Sequence, residues 1–479
     1  MFKPLTSLYS YKFPKVVTYM LQVSEYDLWN YLKWLNRTRD FSQIIKRKQL
    51  VYTSKSKLIY GFLVVVFILQ ILFGLTLIYL GLFQHLSGGI YFGLATLISY
   101  PIIWPYLIVV GLLVVKVLII NPQTINNNLL AKKKFQEFSG IKIAVLGSYG
   151  KTTMKELLLT VLSAAKNVEA TPGNQNVAAS HYNFSQLIKG DEDILIIEYG
   201  EGRKKDIAKF AQITQPTHAI ITGLAPVHQD HYKNLAQQAE DLISITNFVS
   251  NDHIFANLDS IELKPYIQET FKTYNHEQVM GWNISDVKNK INGLSFKMIK
   301  KDQILKLQSQ LIGRHLIGPL ALVAALADYF GLDQKTIESA VSQTKPFEHR
   351  MEPYELNGAM IIDDTYNGNI EGIKAGLDLL KELKFKRKIY VTPGLVDQGQ
   401  KSHEIHFLIG RLIAKAKPDR VVLMNNSTTS SIQAGLLNEA FKGEIIIENE
   451  PLRFYQNLNL MFAKGDLVLL QNDWPDNYY

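Results

Sequence analysis

Apolar and polar positions divide the chain into distinct regimes. From Leu58 to Val115, 58 consecutive residues contain no Asp, Glu, Lys or Arg. Leu58 to Phe83 supplies 26 of them, and ~20 apolar residues suffice for a helix to cross a bilayer, so a tilted span is predicted. A buried helical hairpin inside a soluble domain is the alternative, and it needs far less uncharged length. After the polar turn QHLSGG, a second apolar stretch from Ile90 to Ile120 carries Pro101 and Pro105. Proline removes a backbone donor, so this segment is expected to be kinked or partly re-entrant. From Gly140 the pattern becomes short apolar runs ending in glycine, IKIAVLG, DILIIEYG and THAIITGL, separated by helix-length segments. That alternation predicts a parallel α/β sheet with ligands gathering at the C-terminal strand ends. A second series, AMIIDDTYNGN, RKIYVTPG, RVVLMNN, GEIIIENE and DLVLLQNDWP, repeats the rhythm and predicts a second nucleotide-fold domain starting near Arg350.

Charge sharpens this division. The net charge is +8, but residues 1–57 hold eleven Lys/Arg against three Asp/Glu, so the rest of the chain sums to zero. A basic patch confined to the stretch before an apolar segment points to anionic lipid and away from nucleic acid. Basic flanks, KRKQLVYTSKSK before and AKKK after, place both ends of the apolar region in the cytoplasm by the positive-inside rule, which requires an even number of crossings, most simply two. Lys116 can snorkel to the interface. The apolar run starts too late and is too long for a cleaved signal peptide. Upstream, SEYDLWNYLKWLNRTRDF spaces Tyr26, Leu28, Trp29, Leu32, Trp34 and Leu35 like one helix face. Two readings stand: a helix in the headgroup layer with Arg37 and Arg39 towards lipid phosphate, or an amphipathic helix packed on the soluble domain. With no cysteine in the chain, disulfides, thiolate metal sites and Cys nucleophiles are excluded.

The stretch IAVLGSYGKTTMKELL, Ile143 to Leu158, joins a strand to a helix through a glycine-spaced turn. Gly147 and Gly150 let successive backbone N–H groups, Ser148 among them, face one anion. The helix adds its positive end, Lys151 reaches terminal phosphates, and Thr152 can ligate Mg²⁺. Strict GxxxxGK[ST] spacing fails, because Val145 stands where the first glycine belongs. A structural glycine turn is the alternative.

Six motifs then occur in order: GSYGKTT, TPGNQN at Thr171–Asn176, IIEYG around Glu198, APVHQDHY around His228, HRME at His349–Glu352, and IIDDTYNGN at Ile361–Asn369. Over about residues 141–479 the chain resembles the Mur ligases, most closely the MurF branch, which joins D-alanyl-D-alanine to a UDP-muramoyl-tripeptide. The resemblance implies a carboxylate–amine ligase that uses ATP and Mg²⁺ and proceeds through an acyl phosphate. It implies that Lys151, Thr152 and Thr153 hold the β/γ-phosphates and first Mg²⁺, that Glu198 is a metal carboxylate, and that His228 helps bind a second Mg²⁺. Asn174 and Asn176 would face the acyl donor, Arg350 would reach the phosphates, and Asp364, Tyr366 and Asn367 would meet ribose and adenine. Each has a plainer reading: Glu198 a solvated strand end, His228 a surface loop residue, HRME an interdomain salt bridge, Asp363 and Asp364 a turn. His403 and His406 have metal-like spacing without a third ligand nearby and read as substrate-pocket or surface residues.

Departures from the family bear on function. Leu242 stands where several relatives have a carbamylated lysine, and RHLIGP puts Leu316 and Pro319 in place of amides near adenine. Membrane sequence replaces the N-terminal UDP-sugar domain. The expected division is a basic amphipathic juxtamembrane segment (1–57), a transmembrane hairpin (58–120), a linker (121–139), a P-loop parallel-sheet ATPase domain (140–345) and a C-terminal Rossmann-like α/β domain (346–479). The expected function is a ligase on the cytoplasmic side of a bacterial inner membrane. Its partners would be a soluble or lipid-linked cell-wall precursor, an amino acid or dipeptide, and membrane lipid, with no nucleic acid. Two alternatives are a poly-γ-glutamate-synthetase-like amide ligase, against which DDTYNGN and GLVDQG argue, and a non-catalytic nucleotide-binding membrane scaffold.

Overall fold

The computed structural model describes residues 9–472 apart from 10–11, 25, 39–40, 42–43, 45–49, 227–231, 233, 367 and 397. The chain forms two compact units, residues 1–124 and 125–478.

The first unit is helical. Helices α1 (Phe13–Val23) and α2 (Leu28–Arg37) precede α3 (Ser54–Phe83) and α4 (Gly89–Val115). Asp27 starts α2, its Oδ1 accepting from Trp29 N and Asn30 N at 3.0 Å. Helices α3 and α4 are each long and apolar enough to cross a membrane. Glycines set their approach: a Cβ on Gly93 would run into the Gly74 carbonyl and Ile78. Gln70, a polar residue within α3, donates to Thr96 O (2.7 Å) and Ser99 Oγ (3.0 Å) of α4 and accepts from Trp104 Nε1. Helix α2 packs on the long apolar pair. Tyr31 and Leu35 bury in one cluster with Ile59, Leu63, Tyr100 and Ile108 of the long pair, and the Tyr31 hydroxyl donates to Pro105 O at 2.9 Å. The Arg37 side chain and Arg39 lie outside the described residues.

Pro101 and Pro105 do not break α4. The helix runs through both, then through a π-helical turn at Lys116–Ile120 into α5 (Asn121–Glu137). The expected linker is therefore helix, because NPQTINNNLLAKKKFQE is rich in helix formers past its proline and ends in an anchor: Ala131 and Phe135, both at 0% exposure, sit in the core of the second unit.

The second unit holds two sheets. In the first, strands run in the order β10-β9-β8-β7-β6-β5-β4-β1-β3-β2. The parallel part comprises β1 (Ile141–Leu146), β2 (Val168–Ala170), β3 (Ile194–Glu198), β4 (His218–Ile221), β5 (Ile254–Asn257) and β6 (Lys272–Tyr274). An antiparallel extension, β7 (Gln278–Val279), β8 (Trp282–Lys290), β9 (Gly293–Lys300) and β10 (Gln303–Ser309), has no counterpart in the expected parallel sheet. Strand β1 lies between β3 and β4, so the chain reverses its winding there and opens a crevice at the strand ends. Register pairs Val145 with Glu198 and Leu146 with Ile221, which puts Glu198 level with the turn after β1. The second sheet, order β11-β12-β16-β13-β14-β15, contains the five expected strands β12 (Ala359–Asp364), β13 (Arg387–Thr392), β14 (Arg420–Met424), β15 (Glu444–Glu448) and β16 (Asp466–Gln471), parallel except for the edge strand β11 (Glu352–Leu356).

Phe135→Ala should lower the stability of the second unit by about 3 kcal/mol, the usual cost of truncating a buried Phe. Thermal melting that is unchanged would show that α5 is not anchored by Phe135.

Candidate functional site

The turn after β1 is shaped by its neighbours. Gly147 (φ 138°) lies so close to Thr222 and Gly223 that a Cβ would clash, and Ser148 N donates to Gly223 O at 2.8 Å. Gly150 (φ 74°) precedes α6 (Lys151–Leu162), whose first turn has no side-chain cap. Its N–H groups are thereby left for an anion. Lys151 Nζ rests on Gly147 O at 2.6 Å. Thr152 Oγ1 donates to Glu198 Oε1 at 3.1 Å, with partly buried Thr153 beside it in the same turn.

Glu198 is not a solvated strand end. It is 1% exposed, and its Oε1 also accepts from Asn176 Nδ2 at 3.1 Å. Its Oε2 has no hydrogen-bond partner. Lys155, fully buried on α6, stands 3.7 Å from that oxygen and donates to the carbonyls of Thr171 (2.8 Å) and Gly173. Thr171 Oγ1 accepts from Glu198 N at 3.0 Å. His181, on α7 (Ala178–Ser185), holds the Glu198 carbonyl through Nε2 at 2.9 Å. Burial pushes its imidazole down to about 4, so it is neutral and donates from Nε2.

Lys155 and His181 escaped the sequence reading. Lys155 does fall on the stripe formed by Met154, Leu158, Val161 and Leu162, and a lysine within an apolar stripe is the signal that was available. His181 had no such mark.

Other expected residues divide into groups. Asn174 Nδ2 donates to the Tyr366 hydroxyl, and the Arg350 guanidinium lies 4.4 Å over the Tyr366 ring, so these three meet. Asp364 is committed elsewhere: its carboxylate accepts from Gln471 Nε2 (2.8 Å) and Met351 N (3.3 Å), and burial pushes it up to about 7. Asp363 makes the turn with Thr365 and pairs with His349 at 2.8 Å, raising the imidazole's basicity. His349 thus pairs within the C-terminal domain and not across domains. His228 and Asn367 lie outside the described residues. His403 bonds Ser431 Oγ at 2.7 Å, while buried His406 accepts from Leu395 N at 2.9 Å and faces Ser402 O at 2.6 Å. They share no ligand geometry.

Leu242 is at 0% exposure in the core with Leu146, Ile221 and Ala239. Leu316 is likewise buried, beside Ile317 and Leu320, and Pro319 is partly buried. A cavity of about 470 Å³ opens next to them, lined by Arg314, His315, Ala375, Asp378 and Glu382. Arg314 and Glu382 close one side with a 2.9 Å ion pair.

This donor set suits a Mg²⁺ nucleotide. Among the described residues no three His, Asp or Glu side chains surround one point, but Mg²⁺ is commonly held by one or two carboxylates together with substrate phosphates. Glu198 Oε2, which accepts no hydrogen bond, and the Thr152 hydroxyl fit that role.

A glycine loop feeding an uncapped helix at the sheet's winding reversal, faced by a second α/β domain, defines a nucleotide-dependent two-domain enzyme. Residues 145–327 match the family description Mur ligase middle domain, and residues 349–471 match Mur ligase, glutamate ligase domain. The chain belongs to the Mur ligases, ATP-dependent enzymes that form peptide bonds. It is similar to the UDP-N-acetylmuramoyl-tripeptide–D-alanyl-D-alanine ligase of Bacillus subtilis, 26% identical over 352 residues, 71% of this chain and 75% of that protein. In fold it is similar to MurF from Acinetobacter baumannii (TM-score 0.64, 18% identity, 73% of this chain and 77% of that one). MurF from Thermotoga maritima, solved with ADP, gives TM-score 0.63 at 22% identity, covering 74% and 81%.

Lys155→Met keeps the stem and removes the charge, leaving Glu198 without its cation. A loss of about 3 kcal/mol is expected for breaking a buried pair. Adding Glu198→Gln should recover part of it, giving a coupling above about 1 kcal/mol in the double-mutant cycle. Additive losses would mean that Lys155 serves the carbonyls and Glu156, whose Oε1 lies 3.0 Å from it, and not Glu198.

Proposed function

We propose that this chain is a membrane-tethered ligase that joins D-alanyl-D-alanine to a cell-wall precursor carboxylate on the cytoplasmic face of a bacterial inner membrane. The observation that carries the ligase reading is the convergence of Lys151, Thr152 and a buried, partly unpartnered Glu198 at one loop, in a chain with both Mur ligase domains.

The reaction comprises two displacements. A donor carboxylate oxygen takes the γ-phosphoryl group of ATP and ADP leaves. The amine nitrogen then attacks the acyl carbon, inorganic phosphate departs, and the nitrogen loses a proton. Two anions meet in the first step, so positive charge has to be arranged around them. Lys151 moves from the Gly147 carbonyl onto the phosphates, and the uncapped turn of α6 receives them. Arg350, stacked on Tyr366, adds charge from the second domain. Mg²⁺, when bound by Thr152 and Glu198, offsets phosphate charge. Asn174 and Asn176 face the donor from the loop that Lys155 secures.

The tether rests on the 58-residue uncharged run and on two apolar helices of 30 and 27 residues. Within hydrocarbon every polar group needs an internal partner, and Gln70 has Thr96, Ser99 and Trp104. Confinement to the surface where a lipid-linked precursor resides raises the effective concentration of both. The scaffold reading draws on the apolar Leu242 and Leu316.

Purified protein supplied with ATP, D-alanyl-D-alanine and a muramoyl-tripeptide precursor should release phosphate and yield a product heavier by the dipeptide residue. Lys151→Ala should slow this by about 10²–10³-fold or more, with melting unchanged. Phosphate release that never depends on an acceptor favours the scaffold, and activity of Lys151→Ala within a few-fold of wild type removes this loop from the chemistry.

Topology is read by labelling. In a chain without cysteine, a Cys at Ser87, in the turn between α3 and α4, should react with an impermeant maleimide from outside intact cells. A Cys at exposed Ser163 should react only after lysis. Labelling of both, or of neither, in intact cells would rule out the two-span arrangement.

A further inference from the structure

One helix of the C-terminal domain meets the middle domain at both of its ends. Helix α8 (Ile370–Glu382) has 13 residues and is therefore about 20 Å long. Asn369 starts it, its Oδ1 accepting from Gly372 N at 2.9 Å. Just before that cap, Tyr366 carries the Arg350 guanidinium on its ring and meets Asn174 of the middle domain through its hydroxyl. At the other end Glu382 is held by the middle domain from two sides. Its Oε1 accepts from Arg314 Nε at 3.0 Å, with Nη2 at 2.9 Å, and its Oε2 accepts from Asn289 Nδ2 at 2.7 Å. Asn289, near the end of β8, accepts in turn from Gly313 N at 3.0 Å, so one amide fastens Glu382 to the backbone that carries Arg314.

Between its ends α8 is not packed tightly on the middle domain. The cavity of about 470 Å³ is lined by Asp378, Leu379 and Lys381 of α8 and by Arg314 and His315 of the middle domain. Asp378 and Lys381 are opposite in sign, and the cation bonded to Glu382 is Arg314. Burial raises the Glu382 carboxyl, but the hydrogen bonds from Arg314 and Asn289 outweigh it and hold the group below its ordinary value, so it is charged at neutral pH. Arg314 is 58% exposed and Glu382 30%. An ion pair that open adds little to global stability. Its place at the end of a helix with open space beside it gives it a different use, because a helix anchored at that end cannot swing into the cavity.

Resting on the nucleotide-dependent ligase reading, we propose that Glu382 is a positioning residue: clamped by Arg314 and Asn289, it pins the far end of α8 and thereby holds Tyr366 and Arg350 at the loop Thr171–Asn176. With the pin removed, the fraction of molecules that have Arg350 in place falls. A nucleotide that needs Arg350 then binds more weakly by the same fraction.

Spin labels read the orientation directly. In the cysteine-free full-length chain in detergent, Ser163→Cys on the middle domain and Leu437→Cys on the C-terminal domain, both exposed, carry a nitroxide pair for double electron–electron resonance. The parent should give one narrow distance distribution. Glu382→Ala, and independently Arg314→Ala, should broaden it with melting unchanged, and combining the two should broaden it no further. Saturating β,γ-imido-ATP with Mg²⁺ should narrow it again, at an affinity about three- to fivefold below the parent's. Distributions that match the parent's in both single variants overturn the proposal. Broadening with nucleotide affinity at the parent's value overturns it too, since Glu382 would then join the domains without positioning the site. Failure of the ligase reading is separately visible, as nucleotide-dependent narrowing without acceptor-dependent phosphate release.

Discussion

A carboxylate buried at the end of a central strand is the constraint on which the catalytic unit depends. Glu198 is 1% exposed, and removing a charge of that kind from water is tolerated only where partners replace the solvent. The fold supplies them from four directions: Thr152 from the phosphate helix, Asn176 from the following loop, Lys155 from beneath, and His181 on the backbone carbonyl. Each partner is itself tied down, so the loop Thr171–Asn176 and the first turn of α6 are located relative to the same oxygen atoms. Among the described residues, Oε2 accepts no hydrogen bond and has only the Lys155 ammonium, at 3.7 Å, beside it.

The helical unit obeys a different constraint. Where side chains along two long helices are uncharged, the few polar groups have to find each other, and Gln70 does so through Thr96, Ser99 and Trp104. Close approach through Gly74 and Gly93 makes those distances reachable. The amphipathic segment α2 then covers part of this pair instead of leaving its apolar face open, with Tyr31 satisfying its hydroxyl on the Pro105 carbonyl.

Several site residues were legible because their chemistry depends on local spacing. Gly147, Gly150, Lys151 and Thr152 are set by one strand-turn-helix, and register alone carries Glu198 to them. Asp364 was legible only as a motif residue. The packed neighbour β16 shows that Gln471 donates to its carboxylate. His403 and His406 have metal-like spacing along a helix, yet one bonds Ser431 and the other the Leu395 backbone. The linker at 121–139 read as polar, and its two anchors, Ala131 and Phe135, gain meaning only from the core they enter.

By itself the sequence determined the uncharged 58-residue run, the parallel α/β rhythm of both later domains and the phosphate turn, since each follows from periodicity or from backbone freedom at a few consecutive residues. Tertiary structure alone decided which charges are buried and what they face. Lys155 is marked in a linear reading only by its place in an apolar stripe, and it becomes a determinant of the site because helix α6 packs it beneath Glu198 and the carbonyls of Thr171 and Gly173. Burial turns an ordinary charge into one that requires a partner, and the identity of that partner is a property of packing across long separations in the chain.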